Sequence, residues 1–254
     1  RHILLGQIAF WVLVVTWVMS AFLRSKIAFR PWKYLHYLAY ICIPFALLHI
    51  PNLGSNFEAD IAVKAYFISL VVVWSVFVLL RLRSLLNIDR TRYTVTQHAP
   101  LTDGDFILRL APNDPKFLRP NRGQYVYLKL GYISEDHPFS VTQFNPETGE
   151  LTVAYRVFGM YTKVLQRVKE GTRVFVSGAY GSFMSDLSES DTRPVVYLAG
   201  GIGVTPFVDR IMNEAGVREQ WLFAANRNRA TAVLVPPLKE QLGDRCISVY
   251  NQQT

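Results

Sequence analysis

Cysteine is almost missing from this sequence. Cys42 and Cys246 are the only two in 254 residues, and they form no CxxC pair. Neither a disulfide framework nor a cysteine-held zinc site is implied. Acidic residues are also short: 19 Asp and Glu face 27 Lys and Arg, leaving a formal net charge of +8. The basic residues are scattered and no nucleic-acid motif accompanies them, so a nucleic-acid partner is not expected. No basic leader and no small-residue cleavage site precede the first apolar run, so that run does not read as a signal peptide. A complete GxGxxG fingerprint is absent too, because Pro206 stands where its third glycine would be.

What is present is unevenly distributed. Half of the residues are hydrophobic, and long apolar runs dominate the first ninety. Ile3–Leu23, Tyr34–Ile50 and Ala65–Leu80 are three candidate membrane-spanning helices, about 20 residues being enough to cross a bilayer. Arg24, Lys26, Arg30 and Lys33 lie between the first two, and Arg81, Arg83, Arg90 and Arg92 follow the third. The intervening loop carries Glu58 and Asp60 and no basic residue before Lys64. The positive-inside rule places the basic loop and everything after Leu82 in the cytoplasm.

His36 and His49 sit on the second apolar run. Ionisable groups in a membrane span are costly and mark functional candidates. Their separation of thirteen residues corresponds to roughly 20 Å along a helix, a spacing that suits two stacked haems with imidazole axial ligands. The same spacing also suits two interfacial histidines at the helix ends. On an ideal helix the two side chains would lie about 140° apart, and Pro44 between them could kink the helix and alter that phase.

After Asn87 the pattern changes to short β-branched and aromatic runs separated by turn residues. Arg92–His98, Phe106–Ala111, Gln124–Gly131, Phe139–Phe144, Leu151–Val157 and Arg173–Gly178 predict a small antiparallel barrel, with a short helix over Met160–Lys169. From Pro194 strands alternate with helices, which predicts a parallel, doubly wound sheet of about two and a half βα units. Its first strand runs into Gly200-Gly201-Ile202-Gly203-Val204-Thr205-Pro206, a turn whose small residues admit a pyrophosphate near the next helix start. Where dinucleotide sites that prefer NAD often carry an acid, this chain has Asn226-Arg227-Asn228-Arg229, which favours the 2′-phosphate of NADPH.

Taken in order, His137-Pro138-Phe139-Ser140, Tyr155-Arg156-Val157-Phe158-Gly159-Met160-Tyr161-Thr162, Gly178-Ala179-Tyr180-Gly181-Ser182-Phe183 and the glycine turn lie behind three apolar helices. This series resembles the ferric reductase and NADPH oxidase superfamily, whose soluble half looks like ferredoxin–NADP reductase. The resemblance implies a multi-domain membrane protein: a transmembrane haem-binding domain over 1–88, an antiparallel β-barrel FAD domain over 89–191, and an incomplete α/β doubly wound NADPH domain over 192–254. It implies that His137, Pro138, Phe139 and Ser140 line the flavin. Tyr155, Arg156, Val157, Gly159 and Thr162 would hold the FAD diphosphate. Gly200, Gly201, Gly203, Thr205, Pro206 and Arg227 would bind NADPH, and His36 and His49 would each ligate one of two b-type haems.

The resemblance departs from the family pattern in having three helices instead of six, no helix for a first histidine pair, and no C-terminal Cys-Gly segment. A piece of a longer protein is expected. The implied activity is electron transfer from NADPH through FAD and two haems across a membrane, the plasma membrane in this family, to oxygen or ferric iron outside. The alternative is a haem-free, membrane-anchored flavin reductase serving a separate acceptor protein.

Overall fold

In the computed structural model, residues 2–27, 29–53, 60–132, 134–188, 190–214 and 216–251 are described. The chain divides into two compact units, Arg1–Arg81 and Leu82–Thr254.

The first unit is helical: α1 (His2–Ala21), α2 (Phe29–His36), α3 (Ala39–Leu53) and most of α4 (Ile61–Leu85). Three stretches, Ile3–Ala21, Pro31–Ile50 and Ile61–Leu85, are long and apolar enough to cross a membrane. Their surfaces remain largely uncovered: no residue of α4 is buried, and Phe77 and Leu79 are both exposed. The second predicted helix differs from expectation. It is not continuous from Tyr34 but breaks at Tyr37–Leu38, while α3 runs unbroken through Pro44. The break is closed by tight i→i−3 bonds, Tyr40 N to Tyr37 O at 3.0 Å and Ile41 N to Leu38 O at 2.9 Å. Pro44 has no N–H for the Tyr40 carbonyl and crowds it, yet α3 continues through it, and the break at Tyr37–Leu38 lies nearly two turns before the proline.

The break resets the helix phase. His49 of α3 lies on α1, where a β-carbon added to Gly6 would stand 2.5 Å from its Cε1. Cys42, two turns earlier on the same face, donates to Ala9 O at 3.2 Å and is buried. His36 stacks on Trp32 with centroids 5.1 Å apart, and its Nδ1 lies 3.1 Å from Ser20 Oγ. Both histidines therefore face α1, one near each end. Small residues at Gly6 and Ala9 permit this close approach.

The second unit begins with a closed barrel of six antiparallel strands in the order β1-β2-β5-β4-β3-β6. The strands are β1 (Thr91–Pro100), β2 (Asp105–Pro112), β3 (Tyr125–Lys129), β4 (His137–Phe144), β5 (Leu151–Arg156) and β6 (Arg173–Tyr180). Alternating residues fill the interior, among them Val95, Leu108, Leu110, Val126, Leu128, Leu151 and Val153. Helix α5 (Met160–Leu165) contributes Tyr161 and Leu165 to the same core. It is shorter than the predicted helix to Lys169.

A parallel sheet follows, ordered β7-β8-β9, from β7 (Val195–Gly200), β8 (Gln220–Asn226) and β9 (Cys246–Tyr250). Helices α6 (Thr205–Asn213) and α7 (Val235–Leu242) supply Phe207, Val208, Ile211, Leu238 and Leu242 to a second core against one sheet face. On the other face Val196, Leu198, Ile247 and Val249 are exposed.

Barrel and sheet meet along the outer face of β4 and β5. Ala154 of β5 belongs to the sheet's core. Arg122, from the loop before β3, pairs with Asp209 of α6 at 3.1 Å and with Glu214 at 2.9 Å. Arg210 and Arg218 also lie within 2.9 and 3.1 Å of the Glu214 carboxylate, which is 3% exposed. Removing one partner of a buried pair strands the other charge. Arg122→Ala is expected to lower stability by about 2–4 kcal/mol, whereas Arg193→Ala, whose pair with Asp191 is at the surface, is expected to cost less than about 1 kcal/mol. Urea unfolding of the two variants checks the contrast.

Candidate functional site

The site is built from strand alternation. On β5, Tyr155 turns inward and Arg156 outward. Arg156 Nε donates to Asp105 Oδ1 at 2.7 Å and Nη2 to Oδ2 at 3.0 Å. Asp105 is 1% exposed and also accepts from Thr102 Oγ1 at 3.0 Å. Hydrogen bonding to Asp105 pushes the guanidinium above its ordinary pKa, burial opposing. The fork fixes the guanidinium plane and leaves Nη1 outside the pair. Nη1 looks at the glycine turn: a β-carbon at Gly201 would lie 3.5 Å from it. The structure thus brings Arg156 and Gly201, 45 residues apart in sequence, to one place.

The turn itself is a short 3-10 segment, Gly201–Val204, feeding α6. Gly201 has φ 53°, in the left-handed region that favours glycine. Gly200 and Gly203 have ordinary space requirements of another kind: an added β-carbon would meet no atom within 4 Å. Protein packing does not demand glycine at either place, so the ground before the turn is open. Pro206 occupies the first turn of α6, where a missing N–H costs nothing. Thr205 beside it is buried.

The His137–Ser140 segment divides in two. Phe139 turns into the barrel, with its ring 5.8 Å from Tyr155 and 6.1 Å from Tyr161. His137 meets Tyr161 edge-on at 3.9 Å. Pro138 and Ser140 turn outward, opposite Tyr127 and Tyr125 of β3. These two tyrosines and Tyr180 of β6 form a cluster with centroids 5.6–5.9 Å apart. Electrostatic coupling to Tyr125 raises the Tyr127 phenol above its usual pKa. This aromatic face was not expected from sequence. Its signal was present in the alternation of Tyr125 and Tyr127, but Tyr180 joins them only through the β3–β6 pairing.

Tyr155 and Val157 have supporting positions. The Tyr155 hydroxyl lies 2.8 Å from His98 Nε2, and His98 Nδ1 lies 2.7 Å from Val168 O. A carbonyl only accepts, so Nδ1 carries the proton and Nε2 accepts from Tyr155. Burial pushes the Tyr155 phenol well above its ordinary pKa. Val157 N donates to Gly104 O at 2.8 Å and its side chain packs on the barrel core. Thr162 Oγ1 accepts from Phe158 N at 2.7 Å and donates to Phe158 O at 2.9 Å, closing the turn at Gly159 (φ 87°). Phe158 at that turn is 90% exposed, and a β-carbon at Gly159 would meet nothing.

Arg227 is exposed just past β8. Next to it, Arg229 lies 6.0 Å over the Tyr250 ring, and the two border a groove of about 480 Å³ with Lys239 and Ser248. Asn226 is 7% exposed, and neither its Nδ2 nor its Oδ1 has a partner.

The helical unit is a separate case. His36 and His49 face α1, and no third histidine stands among the unit's described side chains. A bis-imidazole haem needs a second ligand for each ring. The described residues therefore do not complete a haem site, and no group of three or more metal-ligating side chains occurs among them.

An antiparallel six-stranded barrel followed by a parallel α/β sheet is the ferredoxin–NADP reductase-like fold. The cytochrome b5 reductase domain of Ulva prolifera nitrate reductase superposes with TM-score 0.54 at 19% identity, over 63% of this chain and 72% of that one. A flavohemoglobin from Malassezia yamatoensis gives TM-score 0.54 at 19% identity, over 86% of this chain and 59% of that chain. No family model matches the chain. In sequence it is 30% identical over 138 residues to the reductase component of propane 2-monooxygenase from Rhodococcus jostii, which is 52% of this chain and 37% of that protein. It is 25% identical over 130 residues to the electron transfer subunit of dihydroorotate dehydrogenase B from Fusobacterium nucleatum, 49% of this chain and 50% of that protein. The chain thus spans between about a third and a half of these curated relatives' length.

The glycine turn gives a stability test. Gly203→Ala is expected to change unfolding free energy by less than about 1 kcal/mol, because the space is open and its φ is not positive. Gly201→Ala is expected to cost about 1–2 kcal/mol through its left-handed backbone. Equal costs in urea denaturation would contradict this placement.

Proposed function

We propose that this chain is a membrane-anchored reductase that holds FAD on the barrel, takes hydride from NADPH at the parallel sheet, and passes electrons singly to a separate acceptor protein. The observation that carries this reading is the meeting of Arg156 Nη1 and Gly201, with the tyrosine face and Ser140 on the same outer barrel surface. FAD when bound supplies the conversion of a two-electron donor into one-electron steps. The residues suit that group. Arg156, held by Asp105, offers a fixed donor to a diphosphate. Ser140 and Pro138 lie on the exposed side of β4, and Tyr125 and Tyr127 offer apolar ring surface with polar tips. Phe139, Tyr155, Val157 and Thr162 stiffen the wall behind them, and His137 braces Tyr161.

For the nicotinamide cofactor, Gly200, Gly201 and Gly203 leave room for a pyrophosphate near the start of α6, where Thr205 and Pro206 stand. Arg227 supplies a cation for a 2′-phosphate. The curated relatives described above are a reductase component and electron transfer subunits, which supports a separate acceptor for this chain as well. The apolar stretches Ile3–Ala21, Pro31–Ile50 and Ile61–Leu85 would anchor the protein with its barrel in the cytoplasm.

A second reading adds two b-type haems at His36 and His49 and an external acceptor, oxygen or ferric iron, at the plasma membrane. It is favoured by one observation, that both histidines turn to the same neighbouring helix.

The test is a spectrum of the full-length protein extracted from membranes and reduced anaerobically by NADPH. The first reading expects flavin bleaching with no haem band, and about tenfold weaker FAD retention in Arg156→Ala than in wild type. Haem bands that are reduced after the flavin, and are lost in His36→Ala or His49→Ala, would establish the second reading instead.

A further inference from the structure

The seam between barrel and sheet holds a cleft of about 660 Å³ that the proposed electron-transfer site does not use. It lies at the end of the barrel where β3 begins and β4 ends, lined by Arg119, Asn121, Ser182, Phe183 and Arg210 among others. That volume is within the range of small-molecule sites. Its charge is one-sided. Three guanidiniums line it, Arg119, Arg122 and Arg210, against one lining carboxylate, Asp209, while Glu214 and Arg218 lie behind the wall. Asp209 is the one acid among the lining residues.

The arginines behind the cleft are not fully used. Glu214 serves Arg122, Arg210 and Arg218 together. Arg210, with its side chain 5% exposed, lines the cleft, and its Nε has no hydrogen-bond partner. Arg218 Nη1 is likewise buried without a partner, and its Nε lies 3.1 Å from Glu214 Oε2 without hydrogen-bond alignment. Arg210 Nη2 donates to Leu187 O at 3.0 Å and Arg218 Nη2 to Ser188 O at 2.6 Å, and one carboxylate, Glu214, balances the charge of both together with part of that of Arg122. An anion in the cleft would add negative charge beside this guanidinium-rich wall, which Arg210 and Arg122 line. Arg119 at the surface, resting 5.0 Å over the Phe117 ring, would close on such an anion from the solvent side. Phe183, Met184, Leu187 and Phe144 give the remaining wall apolar surface.

We propose that this cleft binds an organic phosphate monoester: a dianion with several acceptor oxygens, carried on an apolar body. The excess of two guanidiniums over carboxylates sets the charge. Donors arriving from separate segments, Arg119, Asn121, Ser182 and Arg210, suit a tetrahedral group better than a planar carboxylate. The site stands apart from the glycine turn and does not depend on the nucleotide reading.

Phenyl phosphate is the probe, titrated calorimetrically into the full-length protein in detergent at constant ionic strength, with and without saturating NADPH. The expected result is one-to-one saturable binding, unaffected by NADPH and weakened at least about tenfold by Arg119→Ala. Inorganic phosphate is expected to bind more weakly than phenyl phosphate. Absence of saturable binding, an unchanged affinity in Arg119→Ala, or competition by NADPH each overturns the proposal. Arg119 is exposed, so its variant is expected to fold; an unchanged unfolding midpoint confirms that a lost affinity is local.

Discussion

Glu214 sits at the end of α6 with its carboxylate shared by three guanidiniums, and that ion cluster ties the barrel to the parallel sheet. Arg210 and Arg218 come from the sheet half. Arg122 alone comes from the barrel, and it reaches both Glu214 and Asp209. Charges withdrawn from water attract strongly and tolerate little misalignment, so the cluster works as a directional lock where an apolar seam would allow sliding. Ala154 adds the apolar part of the seam by entering the sheet's core from β5. With α6 held against the barrel in this way, the glycine turn at its other end comes to rest beside Arg156.

The period-two alternation of the strands then separates support from contact. Inward residues of β4 and β5, Phe139 and Tyr155, pack with Tyr161 and Phe106 and tie into the His98–Val168 contact. Outward residues on the same strands, Ser140 and Arg156, face the open ground. A single strand thus places a rigid aromatic layer directly behind the donors that would meet a ligand. Rigid backing of this kind is what holds binding groups in place.

Much of this was legible in the chain. The barrel strands, the parallel strands and the glycine turn appear close to where alternation and turn residues put them, because each depends on local pattern. The break at Tyr37–Leu38 was not: Pro44 signalled a disturbance, but α3 runs intact through it and the chain breaks nearly two turns earlier. The motif around Tyr155-Arg156-Val157 was read as a unit, yet only alternation on β5 shows that Arg156 faces outward while its neighbours turn in. The Tyr125–Tyr127–Tyr180 face and the Glu214 cluster were invisible for another reason. Both are made by residues distant in sequence, and pairing of β3 with β6, or docking of α6 on the barrel, is a tertiary outcome.

The central proposal is that the Arg156–Gly201 seam brings the diphosphates of a flavin and of a nicotinamide cofactor side by side, with the flavin ring lying on the Ser140 and tyrosine face. The most direct measurement is rapid anaerobic mixing of the FAD-loaded protein with NADPH and with NADPH deuterated at C4 of the nicotinamide. Bleaching of the flavin absorbance, slowed by deuterium as a primary isotope effect, is the result expected if the two cofactors are held side by side as proposed. Retained FAD that NADPH does not bleach would contradict it.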